Sequence, residues 1–283
     1  VSPENKWSVQ GMPDMDDELF VRWQTLLEDR TGMRLTSQRK SFLQTSLTIR
    51  MREIGCFDYQ EYYERVVTGP LGAVEWSTLV DRLTVQETRF FRDPEALALV
   101  ADVIKDRIDG YSRSKPLELW SVGCSTGEEP YSLAMTADSC FKQFGLSSNF
   151  NVTGTDISLP VLSKARNGIY YQRKLNVVPE QYKNDYFDVL PGDKCQIKEE
   201  LRSRCCFARI NVLELDKSPM HGMDIIFSQN LLIYFRRWRR KEILNRLVER
   251  LAPGGVLVIG MGEMVDWRHP DLVPVGHDAC LAY

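Results

Sequence analysis

The chain has 283 residues, which is enough for one large domain or two ordinary ones. Its 36 basic and 39 acidic side chains give a formal net charge of −3, so overall charge provides no drive toward nucleic acid or an anionic membrane. No apolar run is long enough to span a bilayer, and residues 1–6 do not resemble a signal peptide. We therefore predict a cytoplasmic protein that neither binds nucleic acid nor inserts into a membrane.

Cysteine and histidine usage limits the metal chemistry. The seven cysteines lack paired C-x-x-C spacing, and Cys205 and Cys206 are adjacent in a segment typical of a strand. This pattern argues against a zinc site or a disulfide framework and favours reduced thiols. Because the chain also has only three histidines, we predict no metal.

The first part of the chain predicts a small helical domain over residues 14–83. Apolar residues recur there at helical spacing, and no strand pattern interrupts them. The predicted helices begin near Asp16, at Ser37, near Asp58 and at Ala73, and Gly32 and Gly55 end the first two. Residues 84–94 are predicted to form a linker.

Strand and helix patterns alternate from residue 117 onward. This alternation predicts a mainly parallel sheet with right-handed crossovers, in an α/β domain over residues 95–283. The predicted strands cover residues 117–122, 149–157, 224–228 and 256–260; the predicted helices cover 131–144, 159–166 and 236–251, with a turn at 253–255. Between residues 170 and 211 the alternation fails. That region is predicted to be a long crossover or an inserted subdomain with short strands.

The segment 123–130, Gly-Cys-Ser-Thr-Gly-Glu-Glu-Pro, joins the first predicted strand to the next helix. A strand, a glycine turn and a helix form the nucleotide-binding corner of a doubly wound domain. Glu128 and Glu129 occupy the positive helix N-terminus, which a phosphate would otherwise take. They favour a ligand with a cationic end and no phosphate, such as S-adenosylmethionine, or they merely cap the helix. This segment alone gives the two interpretations equal weight.

Polar residues at the other predicted strand ends are candidates for the same site. Asp156 ends the second predicted strand, where an acid can bind ribose hydroxyls or cap the next helix; the nearby glycine corner favours ribose. Asn211 and Asn230 stand where strands run into loops. Their amides suit an adenine edge or an amino-acid group, and equally a structural turn. Tyr234 follows the same strand end as Asn230, where it could hold a substrate or pack.

Arg89 and Arg92 flank the apolar pair Phe90 and Phe91, at the join of the two predicted domains. Ligands often bind at such joins, so one of these arginines could point into a cleft. From the residues alone, a solvent-facing arginine is the simpler interpretation.

Three uncommon strings, in this order, resemble the CheR family of chemoreceptor glutamate methyltransferases. They are T-x-x-x-T-x-F-F-R at residues 84–92, S-T-G-E-E-P-Y-S at 125–132 and N-x-x-I-Y-F at 230–235. The resemblance covers essentially the whole chain. It implies an N-terminal all-helical domain, a linker, and a Rossmann-like S-adenosylmethionine-dependent methyltransferase domain with a small antiparallel β-subdomain inserted at about 170–210.

The resemblance also implies a set of site residues. S-adenosylmethionine is the implied methyl donor and S-adenosylhomocysteine the product. The implied donor-binding residues are Gln86, Thr88, Arg92, Glu129, Asp156, Asn211, Val212, Asn230 and Leu231, and Arg92 and Tyr234 are implied to lie near the transferred methyl group. The implied acceptors are glutamate side chains in the cytoplasmic helical domain of chemoreceptors. We expect the protein to be a monomer.

The chain departs from the family pattern at three positions. Gln86 stands where the family usually has Asn, Gln229 replaces the usual Arg, and Cys124 replaces a small residue such as alanine. None of these changes removes an essential group, so we expect activity. Three alternatives stay open: a PilK-like enzyme of a type IV pilus chemosensory system, a methyltransferase acting on another substrate class, and a ligand-binding regulatory protein with little turnover.

Overall fold

The computed structural model describes residues 14–84, 86–109, 115–276 and 279–283. Residues 1–6, which were expected not to form a signal peptide, and residue 85 of the expected linker lie outside this range. Contacts divide the chain after Thr84 into two compact units. No helix within the described residues is long and apolar enough to cross a membrane.

The first unit is all-helical, as the sequence predicts. Its helices are α1 (Asp17–Thr31), α2 (Lys40–Glu53), α3 (Tyr59–Thr68) and α4 (Gly72–Leu83), with a 3₁₀ turn at Ser37–Arg39 before α2. Local signals set the ends of α1: the Asp16 carboxylate accepts a hydrogen bond from the Leu19 N–H at 2.7 Å, and Gly32 ends the helix at φ 74°. Trp23 and Tyr62 are fully buried in the core of this unit.

A buried carboxylate joins α2 to α4. Glu75 is only 5% exposed, and it accepts hydrogen bonds from Arg50 Nη2 at 2.6 Å and Arg50 Nε at 3.0 Å. The Tyr62 hydroxyl also donates to Glu75, at 3.4 Å. The Arg50 guanidinium holds the pKa of Glu75 below its usual range, so the pair is ionised at neutral pH.

The second unit contains a six-stranded main sheet and a separate three-stranded sheet. In chain order the strands are β1 (Leu117–Val122), β2 (Phe150–Asp156), β3 (Ile169–Tyr171), β4 (Phe187–Leu190), β5 (Lys194–Ile197), β6 (Cys205–Arg209), β7 (Met223–Ser228), β8 (Leu251–Ile259) and β9 (Leu281–Ala282). The helices are α5 (Pro94–Asp109), α6 (Glu128–Gln143), α7 (Leu159–Asn167), α8 (Glu180–Tyr186), α9 (Glu199–Arg202) and α10 (Arg237–Val248).

The main sheet has the order β6-β2-β1-β7-β8-β9 and is parallel except for β9. Side chains alternate along β1: Leu117 and Leu119 pack into one core cluster, and Trp120 and Val122 into another. Both faces of the sheet are therefore buried, as expected of a doubly wound fold. The strand order reverses between β1 and β7. Ligands of such sheets bind outside the carboxyl ends of the strands at this switch point.

The region where the sequence alternation fails contains the inserted antiparallel sheet, β3-β5-β4. Its aromatic side chains pack on Phe90, which is fully buried: the Tyr170 ring lies 4.9 Å away and the Phe187 ring 5.5 Å away. The structure places β6, which falls within the expected span of about 170–210, in the main sheet beside β2.

One predicted boundary is wrong. The sequence predicts a helix over 236–251 and a turn at 253–255, but α10 ends at Val248 and β8 already begins at Leu251. The pairing of β7 with β8 shifts register between Met223 and Ile225, and Gly254 has φ 72°. The Pro-Gly-Gly segment is thus an irregularity inside a strand, because a bulge accommodates a glycine at positive φ without ending the pairing.

Candidate functional site

The turn between β1 and α6, residues 123–127, lies at the switch point of the main sheet. The N–H groups of Gly123 and Cys124 donate to the Thr155 carbonyl at 2.8 and 2.9 Å, which fixes the turn to the end of β2. Gly127 has φ 95°, and a Cβ there would lie 2.8 Å from the Cβ of Ala165. Only glycine therefore fits at that position.

Cys124 lies inside this turn. Its side chain is 1% exposed, and burial raises the pKa of the thiol well above its usual value. The thiol is therefore neutral and acts as a small apolar group, which agrees with the expectation that this departure from the family pattern removes nothing essential.

Asp156, at the carboxyl end of β2, organises the turn. Its Oδ2 accepts a hydrogen bond from the Ser125 N–H at 2.9 Å, and its Oδ1 accepts one from the Ser158 N–H, also at 2.9 Å. Ser158 is itself the N-cap of α7. The carboxylate is half-buried and holds a turn residue with φ 49° in place.

The two acids that begin α6 have different surroundings. Glu128 is fully buried; Thr126 Oγ1 donates to it at 2.6 Å, and Lys174 of the inserted segment forms an ion pair with it. Glu129 is partly buried and accepts a hydrogen bond from Ser121 Oγ at 2.7 Å. It forms no salt bridge with any described residue. Glu128 is thus a structural group, whereas Glu129 is a carboxyl group that can pair with a cationic ligand when it is ionised.

The surroundings of Glu129 raise its pKa. Burial is the main cause that raises it to about 8; the charge of Glu263 adds to the rise, while the Ser121 hydrogen bond and the charge of Arg92 oppose it. A perturbed carboxylate at the switch point of an α/β sheet is typical of a functional site.

Arg92 lies in the segment that leads into α5. Arg92 Nη1 donates to the Glu87 carbonyl at 3.0 Å, and the Phe91 N–H donates to Ser132 Oγ at 3.0 Å. A cavity of about 270 Å³ opens beside it. The cavity is lined by Arg89, Arg92, Asp93, Pro94, Gln229, Asn230, Gly260 and Met261. Both arginines that the sequence left open therefore face the same cavity.

Gln229, which replaces the usual Arg of the family, is a partner of the same segment. Its side chain is buried, and Nε2 donates to Asp93 Oδ2 at 2.7 Å. The other oxygen of Asp93 caps α5 by accepting from the Ala96 N–H at 3.0 Å. In this chain the residue before Asn230 thus connects the end of β7 to the start of α5.

Asn230 and Leu231 follow β7. Asn230 has φ 58°, a left-handed conformation that asparagine tolerates better than most residues. A Cβ at Gly123 would lie 3.1 Å from the Leu231 side chain, so this loop packs against the glycine turn. The next residues form a 3₁₀ turn, Leu232–Tyr234, and Tyr234 is half-buried there.

Of the expected site residues, Arg92 and Asn230 are among those that line the cavity, and the others lie on adjoining segments. The Ile210 N–H donates to the Asp156 carbonyl at 3.1 Å, which brings the start of the following 3₁₀ helix, with Asn211 and Val212, to the end of β2. Gln86 contacts the glycine turn, since its carbonyl accepts from Ser125 Oγ at 3.5 Å. The Thr88 carbonyl accepts from Lys174 Nζ at 3.4 Å.

Sequence reasoning missed three charged residues next to these groups: Lys174, Asp93 and Glu263. Each interacts with a segment far from it in the chain, so no local spacing indicates the contact. Among the described residues, no group of His, Cys, Asp and Glu is placed to hold a metal ion.

A parallel sheet with a glycine turn and carboxylates at its switch point defines a Rossmann-like domain that binds a nucleoside ligand. Residues 86–277 match the family described as CheR methyltransferase, SAM binding domain, and residues 18–84 match the CheR methyltransferase, all-alpha domain. The chain therefore belongs to the CheR methyltransferase family, as its three motifs predict, and is an S-adenosylmethionine-dependent methyltransferase.

Individual relatives agree with this assignment. The chain is 33% identical over 254 residues to a chemotaxis protein methyltransferase of Escherichia coli, covering 88% of this chain and 85% of that protein. It is 32% identical over 236 residues to chemotaxis protein methyltransferase 2 of Pseudomonas aeruginosa, covering 82% and 81%. A probable biofilm formation methyltransferase, WspC, of Pseudomonas putida is 31% identical over 270 residues, covering 95% of this chain and 61% of that protein.

The residues at the switch point fit this methyl donor. Glu129 is a carboxylate that is not in a salt bridge with any described residue, which suits an ammonium or sulfonium cation. Asp156 is a carboxylate, a group that accepts hydrogen bonds from hydroxyls, and Gly123 and Gly127 in the turn have no side chains. The residues at the switch point therefore suit the chemical groups of S-adenosylmethionine.

Proposed function

We propose that the protein transfers the methyl group of S-adenosylmethionine to glutamate side chains in the cytoplasmic helical domain of chemoreceptors. The products are glutamyl methyl esters and S-adenosylhomocysteine, and the reaction serves chemosensory adaptation. The placement of Arg92 on a cavity, with its charge acting on Glu129, in a chain of the CheR family, carries this proposal. The names of the relatives from Escherichia coli and Pseudomonas aeruginosa support the chemoreceptor as acceptor.

The donor site follows the family pattern. We assign the ammonium group of the donor to Glu129, and its ribose hydroxyls to Asp156. Gln86, Thr88, Arg92, Asn211, Val212, Asn230 and Leu231 complete the proposed donor site. The contacts of the glycine turn with Asp156 and with Leu231 support this assignment, because they bring these strand ends together.

The acceptor needs little chemical activation. The donor supplies a methyl group on a positively charged sulfur. A glutamate carboxylate is already ionised at neutral pH, so it needs no general base. It must instead lose its water, align with the methyl group and be balanced by a positive charge. Arg92 supplies that charge at the cavity, and Tyr234, on the loop that follows Asn230, supplies a hydroxyl near the proposed methyl position.

The organisation of the chain fits this role. We propose a helical domain over residues 14–83, a linker over 84–94 that contributes to the donor site, and a methyltransferase domain over 95–283. The protein acts in the cytoplasm as a monomer. One variant of this proposal is that the receptor belongs to a chemosensory system other than flagellar chemotaxis, such as type IV pilus control; the likeness to WspC, a probable biofilm formation methyltransferase, is compatible with a role outside chemotaxis.

The test is incubation of the full chain with methyl-labelled S-adenosylmethionine and purified cytoplasmic domains of flagellar and pilus-type chemoreceptors. We expect label on receptor that is released by base as methanol, which identifies a glutamyl ester. Label that survives base, or that appears on nucleic acid, would overturn the proposal. The receptor class that accepts label decides between the two chemosensory systems.

Two variants test the site assignment. Arg92→Ala and Asp156→Ala should abolish transfer, because the first removes the cavity charge and the second the proposed ribose acceptor. Arg237→Ala is the matched control: this arginine is exposed on α10 and pairs with Asp266 at 2.8 Å. Full activity of both site variants would refute the assignment, as would equal loss in the control.

A further inference from the structure

We infer that Glu263 is a positioning residue of the methyl-donor site: its buried carboxylate fixes the loop 230–234 against the end of β8. This inference rests on the proposed function, because it concerns the placement of Asn230, Leu231 and Tyr234. Glu263 stands outside the three family motifs in the sequence.

The carboxylate of Glu263 accepts hydrogen bonds from two segments. Oε1 accepts from the Leu232 N–H at 2.8 Å and from the Ile233 N–H at 3.3 Å. Oε2 accepts from the Gly260 N–H at 2.9 Å. One side chain thus holds the 3₁₀ turn after β7 and the residue that follows β8.

The surroundings of Glu263 require both of its side-chain oxygens to accept hydrogen bonds. The residue is only 2% exposed, so backbone N–H groups that lose this partner cannot turn to water instead. A glutamine at this position would present an NH₂ group to one of the N–H donors. Burial raises the pKa of Glu263, and the backbone N–H groups of Gly260, Ile233, Leu232 and Asn230 oppose the rise.

The loop is held from a second side as well. Arg240 donates from Nη1 to the Glu263 carbonyl at 2.8 Å and from Nε to the Phe235 carbonyl at 2.9 Å. Arg240 therefore ties the end of the loop to the segment that contains Glu263. Asn230 keeps its left-handed conformation, at φ 58°, within this frame. Glu263 and Arg240 both reach the backbone between Asn230 and Tyr234: the carboxylate of Glu263 accepts from the Leu232 and Ile233 N–H groups, and Arg240 Nη2 donates to the Ile233 carbonyl at 3.3 Å.

Two variants disturb the carboxylate in different ways. Glu263→Gln keeps its size and removes an acceptor. Gly260→Ala keeps Glu263 but displaces it, because a Cβ at residue 260 would lie 2.4 Å from Glu263 Oε2. Asp224→Asn is the matched control. Asp224 Oδ2 also accepts a backbone hydrogen bond, from the Glu118 N–H at 2.9 Å, and it lies near the amino end of β7, the opposite end from the site.

The measurements are the Kd for S-adenosylhomocysteine, by calorimetry, and kcat and KM for methyl transfer. They are made at a temperature where circular dichroism shows every variant folded. We expect Glu263→Gln and Gly260→Ala to weaken S-adenosylhomocysteine binding at least about tenfold and to lower kcat by about 100-fold, the cost of a small misplacement at a reacting centre. Asp224→Asn should lower the melting temperature and leave Kd unchanged.

Each outcome has one meaning. Wild-type affinity in both Glu263→Gln and Gly260→Ala would overturn the inference, because the loop would then hold its place without the carboxylate. Equal weakening in Asp224→Asn would also overturn it, since any loss of stability would then suffice. Failure of the wild-type protein to bind S-adenosylhomocysteine would instead refute the proposed function.

Discussion

Donor binding should become tighter as the pH rises, because the proposed ammonium partner, Glu129, must be ionised. Burial is the main cause that raises the pKa of Glu129 to about 8 in the ligand-free protein. A cationic ligand binds the ionised form, so the protonated fraction lowers the apparent affinity. With this pKa, about 1% of the protein is ionised at Glu129 at pH 6 and about 9% at pH 7, so Kd should fall about ninefold.

The assay is calorimetric titration with S-adenosylhomocysteine at pH 6 and pH 7. Its amino group stays largely protonated over that range. Titrations in two buffers of different ionisation enthalpy should show release of about one proton per ligand at pH 6.5 or below, as expected for a carboxylate that is almost fully protonated before binding. Glu129→Gln removes the titrating group, so its binding should be weaker at pH 7 and nearly independent of pH. A flat profile in the wild-type protein, or the wild-type slope in Glu129→Gln, would refute the reasoning.

Three further predictions concern stability. Glu129 keeps its proton up to about pH 8 in the folded protein, whereas its ordinary pKa is 4.5. The stability of the wild-type protein should therefore fall relative to Glu129→Gln as the pH rises from 4.5 to about 8. The variant should show its largest gain in melting temperature near pH 8. Lys174→Met leaves the buried Glu128 without its ion-pair partner and should lower the free energy of unfolding in urea by about 3–5 kcal/mol. A second change, Glu128→Gln, should largely recover this loss; no recovery would argue against the ion pair as the cause. Glu75→Ala should cost about 2–3 kcal/mol at pH 7, because Arg50 remains partly exposed. The difference in the free energy of unfolding between wild type and Glu75→Ala should shrink as the pH falls below 4.5, because the pKa of Glu75 is lowered in the folded protein and acid protonates the group. An unchanged difference would contradict this account.

Features set by neighbours in the chain were predictable from the sequence. The bounds of β1 match the apolar run, and Asp16 and Gly32 end α1 as capping rules require. The glycine turn is predictable for the same reason: Gly127 and the acids after it form one continuous string. The all-helical first unit and the parallel sheet were also predicted, because element type follows from local periodicity. The inserted antiparallel sheet was implied only by the resemblance to the CheR family.

Contacts between distant segments were not predictable. Glu263 lies in the segment Gly-Met-Gly-Glu-Met at residues 260–264, and nothing near it in the sequence distinguishes it from a solvent-exposed acid. Gln229 forms a hydrogen bond with Asp93, which lies 136 residues earlier in the chain. The start of β8 was missed because a Pro-Gly-Gly segment usually indicates a turn, whereas the shifted pairing with β7 keeps it in the strand.

The contacts of Lys174 have a consequence for the order of folding. Its ammonium group joins Glu128, 46 residues earlier in the chain, to the Thr88 carbonyl, 86 residues earlier. Contacts across such separations require closure of long loops, which makes them slow to form. We expect the start of α6 to reach its final state only when the inserted segment has docked. A newly made chain would then acquire the ability to bind its ligand late in folding.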